Sequence, residues 1–168
     1  MPEADVATWD EFSERLFRVL LTIDDRVYLN IGTKPPHDRR YVQFASSAEE
    51  LVGEATGNEF LSDEYKLGAE AETQMRELGW ETPLPSNPNW HFAIALPASS
   101  ADIKAIVDHS VTTLRDMMKI LSPTDLMYRA WREAEWPVPG AYYEQEDLDE
   151  LDPGEDPLEL DLGIEMTC

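Results

Sequence analysis

The spacing of apolar residues changes once, near residue 24, and that change constrains the fold more than anything else in the chain. Trp9, Phe12, Leu16, Val19, Leu20 and Ile23 recur at helical spacing, behind Thr8 as N-cap with Glu11 three residues on as its capping-box partner. From Val27 the period is two: Val27, Leu29 and Ile31 alternate with Tyr28 and Asn30, the pattern of a strand with one buried face. Residues 40–45 repeat it, with Val42 and Phe44 against Tyr41 and Gln43, and residues 50–55 make a weaker third strand. The stretch between the first two strands, 32–38 with Pro35 and Pro36, is a loop.

Gly57 and Asn58 break the third strand. Leu67, Ala71, Met75 and Leu78 then predict a helix over 63–78, and Gly79 suits its left-handed end. Three prolines restrict residues 80–88 to a loop or short edge element. Trp90, Phe92, Ile94 and Leu96 alternate with His91, Ala93 and Ala95 as the clearest strand. Ser99 caps a long helix carrying Ile103, Ile106, Val107, Ser110, Val111, Leu114, Met117, Met118 and Leu121. Leu126, Met127, Ala130 and Trp131 then predict a short last helix over 124–134. The order helix, strands, helix, strand, helix with short connections is that of an α+β fold: an antiparallel sheet with helices packed on one face.

Charge divides the chain. Its 35 acidic and 13 basic residues give a net charge of −22. Residues 1–140 hold 24 acids and all 13 bases; residues 141–168 hold 11 acids and no base. We therefore expect one domain over 1–140 and an acidic, flexible C-terminal tail over 141–168, since a self-repelling segment interrupted by Pro153, Gly154 and Pro157 poorly offsets the entropy of ordering. Nucleic acid and anionic membranes are excluded as main ligands because both are recognised by arrays of Lys and Arg. The lone cysteine, Cys168, forms no intramolecular disulfide. No basic leader or apolar run of about 18 residues is present, so a cytoplasmic protein is expected.

The usual signatures of nucleotide, zinc and acyl-transfer chemistry are missing: no Gly-rich phosphate loop, HExxH, CxxC or GxSxG. His37 beside Asp38 reads as a solvated turn, and His109 beside Asp108 and Ser110 as a helix boundary residue. Asp147, Asp149 and Glu150 resemble a calcium loop in composition, but the spacing puts Leu151 and Asp152 where an oxygen ligand and a glycine belong. We assign no catalytic residue, cofactor or metal, and expect a protein that is not an enzyme. Alternation instead places Tyr28, Asn30, Tyr41, Gln43 and His91 on the sheet face turned away from the helices, a surface of aromatic, amide and imidazole groups with small alanines between them.

Four short motifs occur in order: Arg40-Tyr41-Val42-Gln43-Phe44-Ala45; Glu54, Asn58 and Leu61; Leu78-Gly79-Trp80 with Pro83; and Asn89-Trp90 opening a strand. Together they resemble the bacterial TY-Chap group, which joins type III secretion chaperones with YbjN-like proteins, over roughly residues 9–126. The resemblance implies a small acidic α+β domain, often dimeric, that holds segments of client proteins without hydrolysing nucleotide. It places Tyr41 and Gln43 on a central strand and adds Trp80, at the helix-to-strand corner, to the candidate peptide-binding residues. The expected function is a non-enzymatic peptide-binding chaperone or adaptor. The alternative is an acidic interaction module that regulates or inhibits a basic partner. In the tail, Leu158, Leu160, Leu162, Ile164 and Met166 alternate with Glu159, Asp161, Gly163 and Glu165, a pattern able to add to a sheet edge of the chain's own body.

Overall fold

The computed structural model of the chain describes residues 6–34 and 39–167. Helix α1 (Trp9–Leu21) starts where Thr8 Oγ1 accepts the Glu11 amide and presents Phe12, Leu16 and Leu20 to the core. Strands β1 (Val27–Thr33), β2 (Tyr41–Ser46) and β3 (Glu50–Ala55) follow as an antiparallel meander. Helix α2 (Ala69–Leu78) leads to β4 (Trp90–Ala95), and α3 (Ser100–Thr112) to β5 (Leu126–Arg132). A short helix α4 (Gln145–Asp149) and the two-residue strand β6 (Glu165–Met166) complete the chain.

The six strands form one open sheet in the order β4-β3-β2-β1-β5-β6, antiparallel except for the β5–β6 pair. Inward positions of the strands, Leu29, Ile31, Val42, Phe44, Leu51 and Ala55 among them, share one buried cluster with Phe12 and Leu16 of α1, Met75 of α2 and Ile106 and Val107 of α3. The α+β class and the packing of α1, α2 and α3 on a single sheet face are as expected.

One expected helix is a strand. Over 124–134 the apolar spacing fits a helical stripe, but Leu126, Tyr128 and Ala130 alternate buried and pair with Thr33, Ile31 and Leu29. The expected set left out Tyr128, which is 3% exposed, and the open edge of β1 offered seven ladder partners that outweigh a weak local preference. The helix expected over 63–78 is shorter: residues 63–65 form a single 3-10 turn, and α2 starts only after Gly68. In the intervening chain the Asn58 side chain accepts the Leu67 amide and donates to the Leu67 carbonyl, holding it off helical geometry. Helix α3 ends in a π turn at Thr113–Met117, short of Leu121.

The expected division at residue 140 is not a division in packing. Leu162 is 0% exposed within the main core, and Leu158, Leu160, Ile164 and Met166 pack against it. The acids that were expected to repel one another face cations of the body: Asp152 lies 2.6 Å from Arg132 and 2.9 Å from Arg26. Residues 133–148 stay largely exposed, with Trp136 78% and Tyr142 84% accessible.

Candidate functional site

The three core helices occupy one sheet face; on the other, the bare face, the strand side chains among the described residues are half-buried or exposed. Ladder registry sets its side chains in rows across the strands. The central row runs Arg129, Asn30, Gln43, Glu54, His91 through β5, β1, β2, β3 and β4. Asn30 Nδ2 donates to Gln43 Oε1 at 3.2 Å, and Gln43 Nε2 donates to Glu54 Oε2 at 2.6 Å. His91 closes the row, its Nε2 3.1 Å from Glu81 Oε2 and its Nδ1 3.1 Å from the Asn89 carbonyl. This hydrogen-bonded chain holds half-buried amides in one orientation.

A neighbouring row supplies the relief. Tyr28 and Trp131 are cross-strand partners, their rings stacked at 5.2 Å and 10°. The Arg129 guanidinium lies 4.3 Å from the Trp131 ring. Tyrosine, indole and guanidinium thus form a ridge in which each plane restricts the next. On one side of it is a hollow of about 380 Å³ reached by Asn30, Arg39, Tyr41, Met127 and Thr167. On the other is a hollow of about 280 Å³ reached by Gln43, Ala45, Val52 and Glu54. Gly32, opposite Tyr41 in the ladder, has no room for a side chain: a Cβ would lie 2.8 Å from Tyr41 Cβ. Gly32 also lines the larger hollow. Tyr41 itself is anchored through its hydroxyl, which accepts from Asn89 Nδ2 at 3.2 Å.

Five of the six residues chosen from the sequence therefore share this face: Tyr28, Asn30, Tyr41, Gln43 and His91. Trp80 lies on the other side of the sheet, 3% exposed, tilted against Phe92 at 5.0 Å and donating from Nε1 to Thr113 Oγ1 at 2.9 Å. The helix end that places it is a glycine cap. Gly79, at φ +114°, donates to Arg76 O while the Trp80 amide donates to Met75 O. Trp131, Arg129 and Met127 were missed because residues 124–134 were read as a helix. Their alternation with Leu126, Tyr128 and Ala130 was the available signal.

Of the other histidines, His37 lies outside the described residues. His109 is half-buried beside Gly79. Burial lowers its pKa below the ordinary 6.5, offset in part by Asp108. Among the described residues no group of three or more His, Cys, Asp or Glu is placed to hold a metal ion, and no helix is long and apolar enough to cross a membrane.

An open α+β sheet with one face packed under helices and the other carrying a fixed polar row and an aromatic ridge defines a domain that presents a broad, chemically mixed surface. The sequence pattern of TY-Chap3, described as the T3SS (YopN, CesT) and YbjN peptide-binding chaperone 3, matches residues 3–132, more than three quarters of the chain. The protein belongs to this family of peptide-binding chaperone domains, and the match ends on the last residue of β5. Comparison with curated proteins and with solved structures finds no match.

Proposed function

We propose that this domain holds extended segments of client proteins against its bare sheet face, as a chaperone or adaptor without catalysis. The observation that carries the reading is the Tyr28–Trp131–Arg129 ridge standing between two hollows on a face that no helix covers. Rigid aromatic groups flanked by hollows are the usual anchors of protein recognition, because they bury large area at low entropic cost. The ordered row Asn30–Gln43–Glu54 supplies backbone-like donors and acceptors along the same surface. Family membership supports a peptide as the ligand class.

The test is selection of extended 12-residue peptides by the full chain, followed by affinity measurement on three proteins. Trp131→Ala and the pair Tyr41→Ala with His91→Glu should each weaken the selected peptides by about tenfold or more, the scale of one anchor, while each variant still unfolds in one cooperative thermal transition. Unchanged affinity in both variants would remove the bare face as the site. Salt separates this reading from charge steering of a basic partner. Groove binding through apolar and amide groups should hold between low and high ionic strength, whereas steering by −22 charges should collapse.

A further inference from the structure

Residues 155–167 follow the free side of β5 and then run under α1. The Leu158 amide donates to Ala130 O at 2.8 Å, and the Thr167 amide donates to Tyr128 O at 2.8 Å. Between them the Tyr128 hydroxyl donates to Leu160 O and accepts from Leu160 N, both at 3.0 Å. Met166 and Glu165 pair in parallel with Tyr128 and Met127. The Val6 amide donates to Gly163 O at 3.0 Å, so the segment also borders the chain leading into α1.

Its alternation is used on both sides. Leu162 is fully buried in the core, and Leu158, Leu160, Ile164 and Met166 are partly buried against that core. The acids meet a line of cations on the body: Asp156 with Arg129 at 3.2 Å, Asp161 with Arg15 at 2.6 Å and Glu165 with Lys34 at 3.0 Å. Just upstream, Asp152 bridges Arg26 and Arg132. Five of the chain's 13 cations therefore stand along one edge of a strongly acidic protein, each opposite an acid of this segment or its lead-in.

Two facts separate the segment from the surface it lies on. The cations, the β5 edge and α1 lie inside the region the family pattern matches, whereas the segment lies beyond it. It is joined to β5 through residues 133–154, of which 133–148 are largely exposed while Asp152 is held by Arg26 and Arg132. An occupant attached by a long, largely exposed connection to a preformed edge can be replaced by a second segment of like chemistry.

We propose that the β5 edge and the adjoining cleft under α1 form a second binding site, for extended segments of other proteins that alternate acidic and apolar residues, and that residues 155–167 of this chain are its resident occupant. The tether keeps the occupant at high effective concentration, so the site accepts a partner only in proportion to the time the occupant is away. The site adjoins the bare sheet face and shares Arg129 and Met127 with it, but its ladder contacts run along the outer edge of β5, away from Tyr41 and His91.

A labelled synthetic peptide with the sequence of residues 155–167 tests this on the full chain. Three proteins are compared: the wild type; Leu162→Ala, which loosens the occupant; and Met127→Cys with Glu165→Cys and Cys168→Ser, which ties it down by a disulfide between ladder partners. Leu162→Ala should bind the peptide at least about tenfold more tightly than the wild type. The oxidised tied protein should bind at least about tenfold more weakly than the same protein after reduction, so the comparison stands even if Leu162→Ala does not fold. A peptide with its acids replaced by lysine should not bind. Equal affinity before and after reduction overturns the proposal. So does loss of binding in the Tyr41→Ala with His91→Glu protein, which would place the peptide on the bare face; retained binding there, with the selected peptides also unweakened in that variant and in Trp131→Ala, would instead sink the bare-face reading alone.

Discussion

The two faces of this sheet are made from the same strands and are built by different rules. On the inner face, Leu29, Ile31, Val42 and Phe44 are within 2% of full burial and touch helices. On the outer face, Tyr28, Asn30, Tyr41 and Gln43 are half-buried, and their partners are side chains of the same face and its border: Trp131, Glu54 and Asn89 as well as one another. The inner face is selected by volume, where any loss of contact leaves a cavity. The outer face is fixed by hydrogen bonds and ring stacking, which tolerate loss of a member because water can replace it. Stability should therefore reside mainly inside and recognition outside, although successive residues alternate between the two.

The sharpest break of that contrast is between adjacent residues. Phe44→Ala should cost about 3–5 kcal/mol, measured by denaturant unfolding, whereas Gln43→Ala should cost about 1 kcal/mol. Comparable losses would mean the outer row is structural. Gly53→Ala comes next. Phe92 is its ladder partner, and a Cβ there would fall 2.2 Å from the Phe92 ring, so a cost of about 1–3 kcal/mol is expected. Pairing it with Phe92→Leu should recover part of that loss.

Trp131→Ala should lower stability by only about 1 kcal/mol beyond lost area, the worth of its stack on Tyr28, while weakening the selected peptides most. A smaller effect is a pH dependence from the helix side. His109 has its folded-state pKa below 6.5 through burial, so the unfolded chain takes up the proton first. Stability should be complete above 6.5 and decline as pH falls through it. His109→Gln should remove that decline, and a ring-proton titration by NMR should find the midpoint below 6.5. Asp152 acts lower. Its hydrogen bond from Arg132, with that from the Gly154 amide, holds the carboxyl well below the usual carboxylate range. Its contribution is intact above about pH 4 and is lost only in stronger acid. Smallest of all should be Ser110→Ala. The Ser110 hydroxyl is buried without a hydrogen-bond partner, so its removal should be neutral or slightly stabilising by thermal unfolding.

The contrast between faces also explains what could be read in advance. Strict period-two patterns in β1, β2 and β4 revealed both faces at once, which is why Tyr28, Asn30, Tyr41, Gln43 and His91 could be placed together. Strand β5 escaped because Leu126, Met127, Ala130 and Trp131 also satisfy helical spacing, and only the distant partner β1 decides between the two. Trp131 was hidden with it, and so was the ridge. Trp80 followed from a motif rather than a period, and a motif does not say which side of a sheet a tryptophan takes. The acidic segment was judged by its charge, which predicts self-repulsion. Its alternation was visible, but the cations that receive it come from α1, from the turn before β1, from the end of β1 and from β5, and no local pattern brings those together.

The placement of β5 has a consequence for the newborn chain. Residue 132 is synthesised well before residues 155–167, and at about 5–20 residues per second that interval is on the order of a few seconds. Until those residues have docked, the outer side of β5 is an uncovered strand edge, a ready template for pairing with neighbouring chains. Lys34, Arg129 and Arg132 stand along that side, and charged side chains on an edge strand are one means by which proteins blunt such pairing.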